Sequence, residues 1–145
     1  MKKLSALILV AFTIACGVAT NASLVDPSIH LARLCSDGVK LYTAPDRVTT
    51  EYREVALLNS SGETRYSDEG DLIKSMRKAA AKVGANGIIL NGIDEPSAAT
   101  KVAAEVTNVI ARDAVPISPE RKGRALAIFV PADSANAVAV CAREK

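Results

Sequence analysis

The spacing of apolar positions changes several times along the chain, and each change predicts an element. Over 69–83, Leu72, Ile73, Met76, Ala79, Ala80 and Val83 recur at three- and four-residue intervals, with Lys74, Arg77, Lys78 and Lys82 on the other side. That spacing predicts an amphipathic helix. Asp68 and Asp71 stand at its start and the lysines towards its end, as the helix dipole favours. The run KAAAKVGANGIIL (78–90) then changes character within a few residues. Gly84 suits the position just past a helix, where a left-handed backbone meets no Cβ penalty. Asn86 suits the tight turn that follows, Gly87 allows close chain approach, and Ile88-Ile89-Leu90 enters a sheet as a buried strand.

Other segments carry weaker patterns. VKLY (39–42) reads as a strand, and so does YREVALLN (52–59), with Val55 and Leu57 on one face, Glu54 on the other, and Ser60-Ser61-Gly62 ending it. Arg121-Lys122-Gly123 reads as a turn into RALAIFV (124–130), which is apolar on both faces and hence a central strand. Residues 96–115 read as a helix through Ala99, Val102, Val106, Val109 and Ile110, although VTNVIA also has strand character. Asp26-Pro27 resembles a helix start, with Ile29, Leu31 and Leu34 forming a short helix after it. Asp133 or Ser134 would cap a last short helix reaching Cys141, and the small residues of 17–25 read as a tether. The expected fold class is α+β: a small, mainly antiparallel sheet of about four strands, the main helix (about 69–83) on one face, and short flanking helices.

The first residues change this picture. Met1-Lys2-Lys3 is basic, and Leu4 to Ala15 is an uncharged apolar run, too short to span a bilayer at roughly 20 residues. This is the layout of an export signal. Residues 1–22 are therefore read as the signal and 23–145 as one α+β domain. Phe12-Thr13-Ile14-Ala15-Cys16 resembles a bacterial lipobox, which would make Cys16 the lipidated N-terminus; cleavage after Ala22 is the rival. Gly17 after the cysteine implies, by resemblance to enteric lipoproteins, the outer membrane. The expected location is the periplasmic face of the outer membrane, or a soluble periplasmic or secreted form. Without Lys2 and Lys3, basic and acidic side chains balance at sixteen each. No basic stripe then remains for nucleic acid, and with no Trp there is little aromatic surface for stacking on bases. Three cysteines are present. Cys16 apart, Cys35 and Cys141 are an even pair suited to a structural disulfide in an oxidising compartment; free thiols or a redox pair are the alternatives.

Four segments together carry a family resemblance: VKLYTAPDRV, YREVALLN, SMRKAAAKVGANGIIL and GRALAIFVP. They resemble the small bacterial envelope lipoprotein domains of the RcsF/YbjQ-like group. The shared mark is a Lys- and Ala-rich helix ending in Gly-Ala-Asn before a strand, here Lys78 to Leu90, followed by a late A-x-A-I strand, here Ala125 to Ile128. The resemblance spans roughly residues 38–131 and implies an α+β domain with one main helix across a small sheet. It also implies an outer-membrane lipoprotein that senses envelope stress through protein contacts. RcsF-type domains carry two disulfides, whereas Cys35 and Cys141 could form one here.

No catalytic constellation is legible. His30 is the sole histidine, and its five-residue distance from Cys35 does not put both on one helical face. A zinc site from His30, Cys35 and Cys141 lacks local ligand pairing. Ser60-Ser61 stands outside any G-x-S-x-G elbow. The acidic groups Asp94-Glu95 and Asp68-Glu69-Asp71 read as solvated turn or cap residues rather than a calcium site. Asn59-Ser60-Ser61 matches a glycosylation sequon, which a bacterial leader discounts. The expected function is that of a non-enzymatic envelope protein acting on an envelope protein or cell-wall component, with no cofactor or metal, and touching the membrane through Cys16 if that residue is modified. Two other functions stay open: a small thiol-dependent enzyme or redox protein using Cys35 and Cys141, and a module binding an apolar ligand beneath 96–115.

Overall fold

In the computed structural model, which describes residues 17–110 and 116–143, five strands form one sheet. They are β1 (Ala19–Leu24), β2 (Lys40–Tyr42), β3 (Arg53–Glu63), β4 (Gly87–Asp94) and β5 (Glu120–Phe129). The spatial order is β1-β3-β5-β4-β2, antiparallel throughout except for the β2–β4 pair. Three helices accompany the sheet: α1 (Glu69–Lys82), α2 (Ala98–Ile110) and α3 (Ser134–Arg143). The fold is α+β, with one strand more than the apolar pattern gives.

Helix α1 forms where its periodicity requires. Asp68 accepts from the Asp71 amide and Asp71 from the Asp68 amide, a reciprocal cap at 2.9 and 3.1 Å. Leu72, Met76, Ala80 and Ala81 are buried against Leu58, Ile88, Ala125 and Ala127 of the sheet. The exit from α1 is a Schellman motif. The Gly84 amide donates to Ala81 O and the Ala85 amide to Ala80 O, at 3.1 and 3.0 Å. Gly84 takes φ +79°, and a Cβ there would lie 2.3 Å from Leu31 Cβ. Gly87 sits against Tyr42 and Ile128, the close approach expected of it. Asn86 does something else. It is buried, and its side chain donates to Val130 O and accepts from the Val130 amide, at 2.8 and 2.7 Å. It thus continues the β4–β5 ladder with a side chain, and no described non-glycine residue has positive φ.

Five other expectations need correction. Residues 19–24 are not tether but the edge strand β1, pairing from Ala19 with Ser61 to Leu24 with Ala56; the boundary expected between residues 22 and 23 falls inside that strand. Residues 26–34 form no helix. They cross the end of α1, where Leu34 N donates to Ala81 O, and Asp26 closes a local turn on Ser28; so short a segment lacks the length to nucleate a helix unaided. Strand β3 does not stop at Ser60 but runs to Glu63, where it pairs with Glu120 at the start of β5. A register shift between Glu54 and Ala56 makes both Val55 and Ala56 buried and turns Leu57 outward, away from the Val55 face. Arg121-Lys122-Gly123 is strand rather than turn. A Cβ on Gly123 would meet Met76 Cε at 2.4 Å, so the glycine lets α1 lie close to the sheet.

The remaining elements match. β5 is central, and α2 is a helix; residues 111–115 of the expected 96–115 segment lie outside the described residues. α3 begins at Ser134, while the Asp133 carboxylate is engaged by Lys40 and by the Tyr42 hydroxyl, at 2.9 and 3.2 Å. Cys35 and Cys141 are disulfide-bonded, with Cα atoms 5.4 Å apart. The bond ties α3 to the turn before β2. Gly38 makes room for it, since a Cβ there would lie 2.9 Å from Cys141 Sγ.

Candidate functional site

The groove between β1 and α1 is built from the sheet edge upward. Thr20 on β1 donates to Ser60 Oγ at 2.9 Å, and its hydroxyl lies 2.7 Å from Ser75 Oγ on α1. This three-hydroxyl link satisfies buried Ser60 and fixes the edge strand against the helix. Val18, half-buried, packs over Gly62 and against the core. Along the rim, Lys74, Lys78 and Lys82 stand four residues apart on one side of α1, with Asp71 at the near end and Tyr66 across. The volume of this open groove is about 540 Å³. Among the described residues none of these three lysines takes part in an ion pair. Three exposed ammonium groups in a row, beside hydroxyls, suit an extended anionic partner.

Two further grooves differ in character. One of about 480 Å³ runs beside α2 and is lined by Thr64, Arg65, Lys101, Asn108 and Pro119 among others. This is the space beneath the segment expected to hold an apolar ligand. Its lining is mixed, because α2 presents Ala104 and Val109 to it together with Lys101, Glu105 and Asn108, while Val102 and Val106 are turned outward. The other, about 380 Å³, lies on the open face of the sheet between Asn21, Asn59, Ser61, Lys122 and Arg124. There Arg124 pairs with Asp94 at 3.1 Å.

The Arg121 guanidinium joins three segments at this end of the sheet. It pairs with Glu95 and donates to the carbonyl oxygen of Ser67. The Arg121 hydrogen bond holds the Glu95 carboxyl below its ordinary value, and Glu95 in turn raises Arg121. At the opposite end, the Asp133 hydrogen bond raises Lys40, and partial burial followed by the Asp133 charge raises Tyr42.

The residues singled out in the sequence are dispersed. Cys16, expected to carry a lipid, and residues 1–15 lie outside the described residues. The sulfurs of Cys35 and Cys141 are bonded to each other, which leaves neither as a free thiol in this state. His30 is exposed on the segment before them. Among the described residues no group of three His, Cys, Asp or Glu side chains converges as metal ligands. Gly84, Asn86 and Gly87 serve the architecture. Asp68 and Asp71 cap α1, while Asp94 and Glu95 hold Arg124 and Arg121. The groove residues Thr20, Ser75 and Tyr66 were missed. The lysine row was visible as the outer side of α1, but its opposing wall depends on β1, which no periodicity announces.

The fold is similar to that of a Francisella virulence factor, FvfA, with a TM-score of 0.50 at 16% identity, covering 77% of this chain and 97% of that one. At that identity the likeness concerns the fold alone. No family model and no curated protein matches the chain.

Proposed function

We propose that this chain is an exported, non-enzymatic protein of the bacterial envelope, anchored by a lipid on Cys16 and working through contacts with an envelope protein or cell-wall component. The observation that carries this reading is the Cys35–Cys141 disulfide, because such a bond persists in oxidising compartments outside the cytosol. β1 supports Cys16 over the rival cleavage after Ala22. Cutting there would remove Ala19 to Ala22 from a six-residue strand, and with them the hydroxyl link of Thr20 to Ser60 and Ser75. The lysine groove offers the contact surface, and the resemblance to the RcsF/YbjQ-like group adds stress sensing as the form such contacts would take.

The test is photo-crosslinking in intact cells from a benzoylphenylalanine placed at Lys78, with the same group at Arg33 as control. The expected result is a discrete adduct of one envelope protein or cell-wall fragment from position 78 alone. No adduct at 78 or at neighbouring groove positions, in a chain shown to be folded and exported, would overturn the reading.

A further inference from the structure

Helix α2 leaves a row of large apolar residues uncovered on its outer flank. Its buried residue is Ala104. Asn108 donates to Ile117 O and accepts from the Ile117 amide, at 2.8 and 2.6 Å, which fixes the helix with this side inward. Val102, Val106 and Ile110 consequently face outward, Val109 stands at the rim of the groove, and all four are 51–78% exposed. A surface helix of a globular domain ordinarily turns such a stripe to the core. Here no described element covers it. Ile117 and Tyr66, on the neighbouring segments, are exposed as well.

The sheet register locates this stripe. Ala19 pairs with Ser61, Glu63 with Glu120 and Asp94 with Lys122. The start of β1, the ends of β3 and β4 and the start of β5 therefore share one end of the sheet. α2 belongs to the β4–β5 connection and faces Thr64, Arg65 and residues 117–119 there across a groove. The chain also enters from residue 16 at this end. Val18 is already packed over Gly62 and against the core, so Gly17 alone separates Cys16 from the packed chain. At about 3.5 Å per residue, an acylated Cys16 holds the sheet end within about 10 Å of the bilayer. A single helix is about 10–12 Å across, so no folded protein fits in the gap.

We propose that the valine stripe of α2 lies in the headgroup–acyl boundary of a phospholipid bilayer, beside the Cys16 anchor, with Ile117 entering next to it and Tyr66 at headgroup level. An apolar helix face seats there, and a tyrosine suits the interface because one end of its ring is apolar and the other wet. This rests on the acylated-Cys16 reading above. It assigns a partner to α2 and makes the anchor one of two membrane contacts, which fixes how the domain stands on the surface. The lysine groove, which Gly17 and Tyr66 also line, then starts at the headgroups and runs along α1.

The test uses the exported, full-length-derived protein on vesicles of phosphatidylethanolamine and phosphatidylglycerol. An environment-sensitive fluorophore is attached through Val106→Cys, with Val138→Cys on α3 as an equally exposed control at the other end of the domain. The mass of the mature chain and its flotation with the vesicles are recorded on the same sample. Expected is an acylated chain whose label at 106 shifts to the blue and loses about half its intensity to lipid-borne quenchers, as burial in the interface requires, while the label at 138 does neither. An acylated, floating chain with a water-like, unquenched label at 106 overturns the inference and leaves the anchor intact. A blue-shifted label that lipid quenchers do not reach means that a second protein chain covers the stripe, and also overturns it. An unacylated chain that does not float overturns both readings.

Discussion

Gly84 and Asn86 show how single residues join α1 to the sheet. Gly84 is required twice over, by its positive φ and by the Leu31 side chain and Ala32 carbonyl lying where a Cβ would go. Gly84→Ala is expected to cost about 3 kcal/mol, combining the left-handed backbone with overpacking, read as a lower urea midpoint with an unchanged slope. Asn86 satisfies both the amide and the carbonyl of buried Val130. Asn86→Ala leaves the buried Val130 amide without a partner, while the Val130 carbonyl still accepts from the Asp133 amide at 3.1 Å, and we expect a loss of about 1–3 kcal/mol. A loss below about 0.5 kcal/mol, the range of an ordinary surface substitution, would contradict the role given to this side chain. The sequence made Gly84 legible because one backbone conformation selects glycine. It did not reveal the task of Asn86, because the partner, Val130, is 44 residues away.

The elements follow the same division. α1, β4 and the centre of β5 were legible because each buries a patterned or continuous apolar run. β1 was not, since ATNASL lies at the sheet edge, largely exposed, and is strand only through its pairing with β3. The phase of β3 was misread because its bulge breaks the two-residue alternation within the strand. α2 was recognisable as a helix, yet amphipathicity says which residues share a face and not which face turns inward. The seat of α2 also supplies a pH dependence. Arg121 depresses the Glu95 carboxyl, so the stabilisation from this pair is present above the ordinary carboxylate value of 4.5 and is lost as pH falls through the lower folded value. The melting temperature of Glu95→Gln should therefore lie below that of the native chain at neutral pH, with the gap closing in strong acid. A gap independent of pH would place the contribution elsewhere.

At the scale of the whole molecule, a disulfide closing 106 residues of separation joins α3 to the turn before β2. Restricting the unfolded chain over a loop of that size is worth up to about 4.7 kcal/mol in the loop-entropy treatment. The double variant Cys35→Ser, Cys141→Ser should unfold at markedly lower denaturant, by about 3–5 kcal/mol, and reduction of the native chain should reproduce the loss. Stability unchanged by reduction would remove the staple from the account. With it in place, the start of β1 and the ends flanking α2 share one end of the sheet, and the lysine groove opens along α1. The proposed placement of this end at a membrane has one premise, that the mature chain begins at Cys16. Intact-mass spectrometry of the protein recovered from bacterial envelopes tests it most directly. The account predicts a chain beginning at Cys16 with added acyl mass; a chain beginning at Ser23, or one still carrying Met1-Lys2-Lys3, would contradict it.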